Sequence, residues 1–208
     1  MKMKCQNLPL TFYLNFNMFK KELRKEYLNK RLLFSKEDIE LNSSKILNLL
    51  CENFDLKNKN ICTFLPINSK NEINTFQLFE LKKNFQFNLF STKWNMLSNE
   101  LSIHRINNIK DIILSKFNIP EPNEAIVSEK TNLISIVLIP LLCFDKQGNR
   151  VGYGKGVYDK FLAKFNQNKT LFIGLSIFEA IDTIHDRNTQ DIKLHYCITP
   201  NTLYHFEK

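Results

Sequence analysis

The chain lacks several features that would point to particular classes of protein. No apolar run approaches the roughly 20 residues that a membrane-spanning helix needs, so we expect no membrane partner. The five cysteines lie far apart and form no C-x-x-C pair, which favours reduced, buried thiols over a disulfide framework or a zinc site. The cysteines therefore predict a cytoplasmic protein.

The chain is basic but lacks an arginine stripe interleaved with aromatic residues. The net charge of +8 fits nucleic-acid binding, a small anionic substrate, or the codon bias that also makes Phe, Asn and Lys abundant. Without the stripe that is typical of nucleic-acid binders, we expect small-molecule substrates and no nucleic acid. A monomer is the default expectation.

Glycine is scarce except at one place. None of the five glycines lies in the first 147 residues, and four cluster further on, at Gly148, Gly152, Gly154 and Gly156. Glycines at alternate positions allow positive φ and let a ligand approach without interference from Cβ. A helix is predicted to begin directly afterwards, which brings free N–H groups and the positive end of its dipole to this spot. Residues 152–156, hereafter the glycine loop, are therefore a candidate nucleotide site.

The glycine loop matches neither common phosphate-binding motif. There is no G-x-x-x-x-G-K-[ST], and Val157 stands where G-x-G-x-x-G needs its third glycine. Its own chemistry still suits an anion, since Lys155 supplies a point charge and Arg150 a planar fork of donors. Asp159 is either a ligand for a phosphate-bridging Mg²⁺ or a first-turn carboxylate that complements the helix dipole. A flexible surface turn is the alternative for the whole loop.

Hydrophobic periodicity predicts alternating helices and strands. Helices are expected over residues 19–33, 35–54 with a capping box at its start, 73–84 and 156–166. Strands are expected over residues 60–66, 85–91, 95–104, 133–139, 171–176 and 194–199, with 118–132 as loop. This alternation predicts a mostly parallel sheet, covered on both faces, with its ligand at the carboxyl ends of the strands. We expect one domain over residues 18–208 and a disordered extension over 1–17.

The glycine loop lies within a longer stretch that resembles a family signature. Residues 139–162, IPLLCFDKQGNRVGYGKGVYDKFL, look like the signature of the 5-formyltetrahydrofolate cyclo-ligases, also called methenyltetrahydrofolate synthetases. Three further segments agree in order and spacing: KKELR at 20–24 with Arg31, FLP at 64–66 followed by NEINT at 71–75, and NIPEP at 118–122. The resemblance covers about residues 18–200. It implies an α/β fold, a three-layer α/β/α Rossmann-like sandwich with a mostly parallel sheet and N-terminal helices.

The resemblance implies an ATP- and Mg²⁺-dependent enzyme of folate metabolism. It would close 5-formyltetrahydrofolate to 5,10-methenyltetrahydrofolate and release ADP and phosphate. Because an N-formyl oxygen is a very poor leaving group, the γ-phosphoryl group is expected to move onto it before N10 attacks. Such a reaction needs positioning and charge neutralisation more than a covalent nucleophile. The alternatives are an ATP-dependent kinase or ligase for another substrate, and a non-catalytic nucleotide- or RNA-binding protein.

The resemblance also implies roles for individual residues. Lys155 is expected near the γ-phosphate and the formyl oxygen, with Arg150 as the second catalytic residue. ATP binding is expected from Lys20, Arg24, Arg150, Gly152, Tyr153, Gly154, Lys155, Gly156, Val157 and Tyr158. Lys20 and Arg24 are one helical turn apart and share a face, although a solvated basic face is the plainer interpretation of that helix.

Folate and metal ligands follow from the same resemblance. Glu72 is expected to accept hydrogen bonds from the pterin, with Tyr153 and Tyr158 beside it. Phe64, Trp94 and Met96 are further candidates for the pterin pocket. The expected Mg²⁺ ligands are Asp159 and Asp191, with Asp186 as a rival of Asp191. His195 stands where relatives often carry an acidic residue.

Overall fold

The computed structural model describes residues 18–123 and 126–207, so the extension predicted at residues 1–17 lies outside the described residues. In chain order the helices and strands are α1 (Lys20–Leu32), α2 (Lys36–Asn53), β1 (Asn60–Thr63), α3 (Leu78–Phe85), β2 (Asn88–Asn95), β3 (Glu100–Arg105), β4 (Ile112–Leu114), β5 (Pro120–Pro122), β6 (Ser128–Glu129), β7 (Ile136–Pro140), β8 (Cys143–Phe144), β9 (Arg150–Val151), α4 (Val157–Leu162), β10 (Leu171–Leu175), β11 (Tyr196–Ile198) and β12 (Leu203–His205).

Eight of these strands form one sheet, in the order β12-β11-β10-β7-β1-β2-β3-β6. The central strands from β11 to β2 pair in parallel, whereas β12, β3 and β6 add antiparallel pairs at the two edges. Two small antiparallel pairs, β4–β5 and β8–β9, lie outside this sheet. The predicted mostly parallel sheet is confirmed.

Strand β7 illustrates how both faces of the sheet are covered. Ile136 and Leu138 belong to the core cluster that α2 and α3 complete, through residues such as Leu47. Val137 and Ile139 point to the opposite face, where they join the cluster that contains Phe161 of α4. Because both faces of this strand are buried against apolar residues, its apolar residues follow one another without alternation. The fold is therefore the three-layer α/β/α arrangement that the sequence predicted.

Helix α1 packs beside the β8–β9 hairpin. Its apolar stripe, with Leu23 and Tyr27, contacts Leu142, Val151 and Ile184. This contact carries the basic helix to the segment that leads into the glycine loop. Among the described residues, no helix is both long enough and apolar enough to cross a membrane.

Several element boundaries differ from the sequence predictions. Helix α3 begins at Leu78 because a 3-10 turn over Thr75–Gln77, capped by the Asn74 side chain, comes first. Helix α4 ends at Leu162 because the backbone N–H groups of Lys164 and Phe165 form tighter i→i−3 bonds. Strand β2 continues to Asn95. The segment 118–132, predicted as loop, contains β5 and β6, which pair with β4 and β3.

Candidate active site

The candidate site lies where neighbouring parallel strands end. Strand β7 leads to the β8–β9 hairpin and the glycine loop, and β1 leads to the segment that carries Glu72. Strand β2, on the other side of β1, ends in a hairpin that carries Trp94. Because the carboxyl ends of adjacent parallel strands meet at one edge of the sheet, these three segments converge there.

A buried carboxylate shapes the hairpin that delivers the chain to the glycine loop. One oxygen of Asp145 accepts the backbone N–H groups of Gln147 at 3.0 Å and Asn149 at 2.9 Å, and the other accepts that of Ile184 at 3.1 Å. Gly148 lies within this turn at φ +81°. Gly148 therefore belongs to this turn, whereas Gly152, Gly154 and Gly156 belong to the glycine loop.

The glycine loop presents unpaired backbone donors. The N–H groups of residues 152–156 donate no hydrogen bond to any residue that the structure describes. Gly154 has φ +88° and Gly156 has φ +64°, in the left-handed region that favours glycine. Successive free N–H groups in a tight loop suit an anion. The geometry is therefore compatible with the anion site that the sequence predicted, which stays a prediction.

Helix α1 directs cations toward the glycine loop. Arg24 Nε donates to the carbonyl oxygen of Gly152 at 3.1 Å, and Lys20 Nζ donates to the carboxylate of Asp191. The backbone N–H of Lys20 donates to Asp186 at 2.7 Å, so the rival metal candidate Asp186 caps the helix. Lys20 and Arg24 thus share one face of α1 and are both half-buried, so this face is not fully solvated. Their contact with a phosphate stays a prediction.

The two predicted metal ligands are each paired with a predicted phosphate-binding cation. Asp159 Oδ1 accepts from Arg150 Nη2 at 2.7 Å and from the N–H of Ile192 at 3.2 Å. Asp191 Oδ2 accepts from Lys20 Nζ. Burial lowers the pKa of the Arg150 guanidinium, which is only 6% exposed, and the neighbouring Asp159 opposes that shift. Arg150 therefore lies beneath the site, held by Asp159 and the Ile192 carbonyl.

These two carboxylates fit a magnesium ion that arrives with a nucleotide. Among the described residues, no cluster of three or more His, Cys, Asp or Glu side chains could hold a metal ion alone. Magnesium in nucleotide sites usually takes one or two carboxylates and completes its shell with waters and phosphate oxygens. Asp159 Oδ2 and Asp191 Oδ1 have no hydrogen-bond partner among the described residues, so each is available for this role.

Glu72 and Tyr153 meet on the other side of the glycine loop. The Tyr153 hydroxyl donates to Glu72 Oε1 at 2.6 Å, and the N–H of Ile67 donates to Oε2 at 2.8 Å. Burial raises the pKa of the Glu72 carboxyl, while the charge of Arg31 and these hydrogen bonds act in the opposite direction. The predicted folate glutamate is thus joined directly to a residue of the glycine loop.

Arg31 also lies in the candidate site, although the sequence indicated no role for it. Its side chain is buried, and its Nη2 donates to the Tyr153 hydroxyl. The same Nη2 lies 4.0 Å from Glu72 Oε1. Its other nitrogens donate to the carbonyl oxygens of Lys70 at 2.8 Å and Leu141 at 3.1 Å. Its place in the N-terminal motif was the available signal, but a basic helix does not reveal which cation is buried.

The remaining candidates lie in different environments. Burial raises the pKa of Tyr158, and a hydrogen bond with Thr92 opposes that shift. Lys155 is exposed, with its ammonium 4.0 Å from the centre of the Trp94 ring. Val157 is the half-buried first residue of α4, Phe64 lies in the core, and Met96 is exposed at the hairpin tip.

His195 lies at the other end of the sheet. It precedes β11 at the amino end of that strand, and its Nδ1 accepts the backbone N–H of Phe172 at 2.9 Å. Its ring stacks on Phe172 with centroids 5.1 Å apart. The residue therefore lies at the amino end of β11, whereas the candidate site lies at the carboxyl ends of the parallel strands.

Replacing Gly154 by alanine should destabilise the loop and displace Arg24. A Cβ at this position would lie 3.0 Å from Arg24 Nε, on a backbone at φ +88°. We expect Gly154→Ala to lower the Tm by about 2–4 °C and to raise the KM for ATP. Gly152→Ala is the matched control for stability, since its Cβ meets nothing within 4 Å. Equal Tm values for the two variants, measured by calorimetry, would contradict this interpretation.

The Tyr153–Glu72 hydrogen bond should control the pH dependence of folate use. It stabilises the charged carboxylate, so Tyr153→Phe raises the pKa of Glu72 further above its ordinary value. At a given pH fewer carboxylates are then ionised, and the acid limb of kcat/KM for the folate should move to higher pH. At neutral pH kcat/KM should fall by about tenfold, the value of a hydrogen bond to a charged group. Tyr196→Phe, on β11, is the control, and an unmoved limb in Tyr153→Phe would refute the assignment.

The chain matches a known protein family over most of its length. The sequence profile of the 5-formyltetrahydrofolate cyclo-ligase family matches residues 17–200. A probable 5-formyltetrahydrofolate cyclo-ligase of Schizosaccharomyces pombe is 25% identical over 156 residues, which cover 68% of this chain and 75% of that protein. The cyclo-ligase of Mycoplasma pneumoniae is 29% identical over 154 residues, 73% of this chain and 82% of that protein. The match to the mouse cyclo-ligase, 34% over 86 residues, covers 38% of this chain and 42% of that protein.

Two solved structures of 5,10-methenyltetrahydrofolate synthetases share the fold. The chain superposes on the 5,10-methenyltetrahydrofolate synthetase of Aquifex aeolicus with a TM-score of 0.75 and 27% identity, over 91% of this chain and 93% of that one. The synthetase of Mycoplasma pneumoniae, at 24% identity, gives a TM-score of 0.65 over 86% and 97% of the two chains and supports the fold alone.

Proposed function

The chain belongs to the 5-formyltetrahydrofolate cyclo-ligase family, whose members are ATP-dependent ligases, and from this membership we propose its reaction. It closes 5-formyltetrahydrofolate to 5,10-methenyltetrahydrofolate and converts ATP to ADP and phosphate. One observation carries the proposal: the basic helix α1 docks on a glycine loop with free N–H groups, next to a carboxylate–tyrosine pair suited to a pterin.

The nucleotide subsite lies between α1 and the glycine loop. The triphosphate accepts hydrogen bonds from the free N–H groups of residues 152–156, and Arg24 and Lys20 neutralise its charge. Lys20 must then exchange its partner Asp191 for a phosphate oxygen. Asp159 and Asp191 would hold Mg²⁺ through their available oxygens, and the ion would supply further neutralisation of the phosphate charge.

The proposed reaction proceeds in two steps, phosphoryl transfer and ring closure. The formyl oxygen attacks the γ-phosphorus, an O–P bond forms, and the bond to ADP breaks. N10 then attacks the activated formyl carbon and loses its proton, while the C–O bond breaks and inorganic phosphate leaves. Lys155, between two glycines of the loop, neutralises charge on the transferred group. Glu72, oriented by Tyr153 and Arg31, accepts hydrogen bonds from the pterin N–H groups.

The reaction is tested by the near-UV absorbance of methenyltetrahydrofolate. Purified protein is mixed with 5-formyltetrahydrofolate and Mg-ATP, and ATP is omitted from the control. ATP-dependent appearance of product is the expected result. ADP release without the absorbance change would instead favour a kinase or ligase that acts on another substrate.

We further propose that the protein is a cytoplasmic monomer that binds small molecules. Cys51, Cys62, Cys143 and Cys197 support a reducing compartment, since all four are buried free thiols. Burial raises the pKa of each of these thiols and so keeps it protonated and unreactive. Sedimentation at micromolar concentration tests the monomer.

A further inference from the structure

The hairpin of β2 and β3 contacts the glycine loop at Lys155. The Lys155 ammonium lies 4.0 Å from the centre of the Trp94 ring. The Trp94 Nε1–H donates to Asn99 Oδ1 at 3.2 Å, and Asn99 Nδ2–H donates to the Lys155 carbonyl oxygen at 3.4 Å. One end of the hairpin therefore holds both the backbone and the side chain of this lysine.

Strand pairing and contacts with α4 and Lys164 hold the hairpin in place. Trp94 lies opposite Leu101 in a continuous antiparallel pairing that runs from Phe90–Arg105 to Asn95–Glu100. Glu100 forms an ion pair with Lys164, just beyond α4, at 3.0 Å. Thr92 forms a hydrogen bond with Tyr158 of α4. The indole is thus fixed relative to α4, whereas glycines flank the lysine on both sides.

An unrestrained lysine at this position would sample many side-chain conformers. Its ammonium is a compact charge on a flexible four-carbon stem, and phosphoryl transfer depends on where that charge lies. The face of an indole attracts an ammonium through its quadrupole more strongly than other aromatic rings do. A phosphate oxygen, which carries a full charge and accepts a hydrogen bond, attracts the same ammonium more strongly still.

We propose that Trp94 is a positioning residue for Lys155. Without nucleotide, the indole face keeps the ammonium beside the glycine loop. In the complex the triphosphate draws the ammonium partly away from the ring, which still restricts where the charge lies. The catalytic consequence rests on the proposed function. The contact itself does not, so the two can be tested separately.

The contact can be tested by fluorescence because Trp94 is the single tryptophan of the chain. The full-length protein is measured without ligand and during titration with Mg²⁺ and a non-hydrolysable ATP analogue. We expect Lys155→Met to change the ligand-free emission, whereas Lys160→Met, which removes a charge from α4, leaves it unchanged. We also expect the nucleotide to shift the wild-type emission toward that of Lys155→Met. Identical ligand-free emission of wild type and Lys155→Met would overturn the proposal, as would no shift at a concentration that calorimetry identifies as saturating.

The positioning role is tested by kinetics of two variants at Trp94. We expect Trp94→Leu to lower kcat by about fivefold, as the loss of a cation–π contact predicts, with a nearly unchanged KM for ATP. Trp94→Phe retains an aromatic face and should recover most of the loss. A purely structural role of Trp94 would lower the Tm and reduce kcat equally in both variants. That result would overturn the positioning role, and so would a wild-type kcat in Trp94→Leu. If wild-type protein forms no methenyl product, the proposed function fails, while the fluorescence still decides the contact.

Discussion

Lys155→Ala should lower kcat by about 10³-fold, the usual effect of removing a charge that stabilises a transferring phosphoryl group. The side chain is exposed and rests on the Trp94 ring, so its removal leaves no buried partner unpaired. The Tm should therefore stay near that of the wild type. The measurement is the initial rate of methenyltetrahydrofolate formation at saturating Mg-ATP and folate, with a thermal melt of the same sample.

Lys160→Ala is the matched control for this prediction. Lys160 is an exposed lysine of α4, close in sequence to Lys155, and its loss changes the net charge equally. We expect its kcat to remain near the wild-type value. If Lys155→Ala were as active as this control, Lys155 would not be the catalytic lysine and the site would need another cation.

Asp159→Asn should impair both catalysis and stability. The substitution removes a proposed metal ligand, so kcat/KM for ATP should fall by about 10²-fold or more, and the Mg²⁺ concentration for half-maximal rate should rise. It also deprives the Arg150 guanidinium, 6% exposed, of its carboxylate partner. Because Asp159 is itself 31% exposed, the loss should be about 2 kcal/mol of the free energy of unfolding, the value of a hydrogen bond to a charged group, which urea denaturation measures.

A double variant separates these two effects of Asp159. Adding Arg150→Met to Asp159→Asn removes the uncompensated buried charge, so much of the lost free energy of unfolding should return. The rate should stay low, because neither the metal ligand nor the arginine is restored. Recovery of the rate together with stability would mean that Asp159 serves the fold and does not hold magnesium.

The elements with strong local signals were predicted correctly from the sequence. The capping box of Ser35 and Asp38 forms at the start of α2, with the Ser35 side chain accepting the Asp38 N–H at 3.0 Å. The apolar run at β7 forms the buried central strand. The short strands β4, β5, β6, β8, β9 and β12 were missed because two or three residues carry no periodicity and depend on distant partners.

The same distinction applies to the candidate site. The glycine spacing and the charges around it identified the loop, and the family resemblance is confirmed by the match over residues 17–200. The roles of the individual residues remain predictions. Sequence alone could not foresee that Arg31 lies buried beneath Tyr153, or that Arg150 pairs with Asp159 beneath the loop, since each depends on contacts across the fold.

The ion pair between Lys20 and Asp191 can form only late in the synthesis of the chain. The two residues are 171 positions apart, nearly the length of the described chain. At 5–20 residues per second, helix α1 leaves the ribosome on the order of ten seconds or more before Asp191 does. During that interval Lys20 has not yet met its partner Asp191. The proposed ATP subsite is therefore completed late, and a chain that is truncated before residue 191 would lack one of its proposed metal ligands.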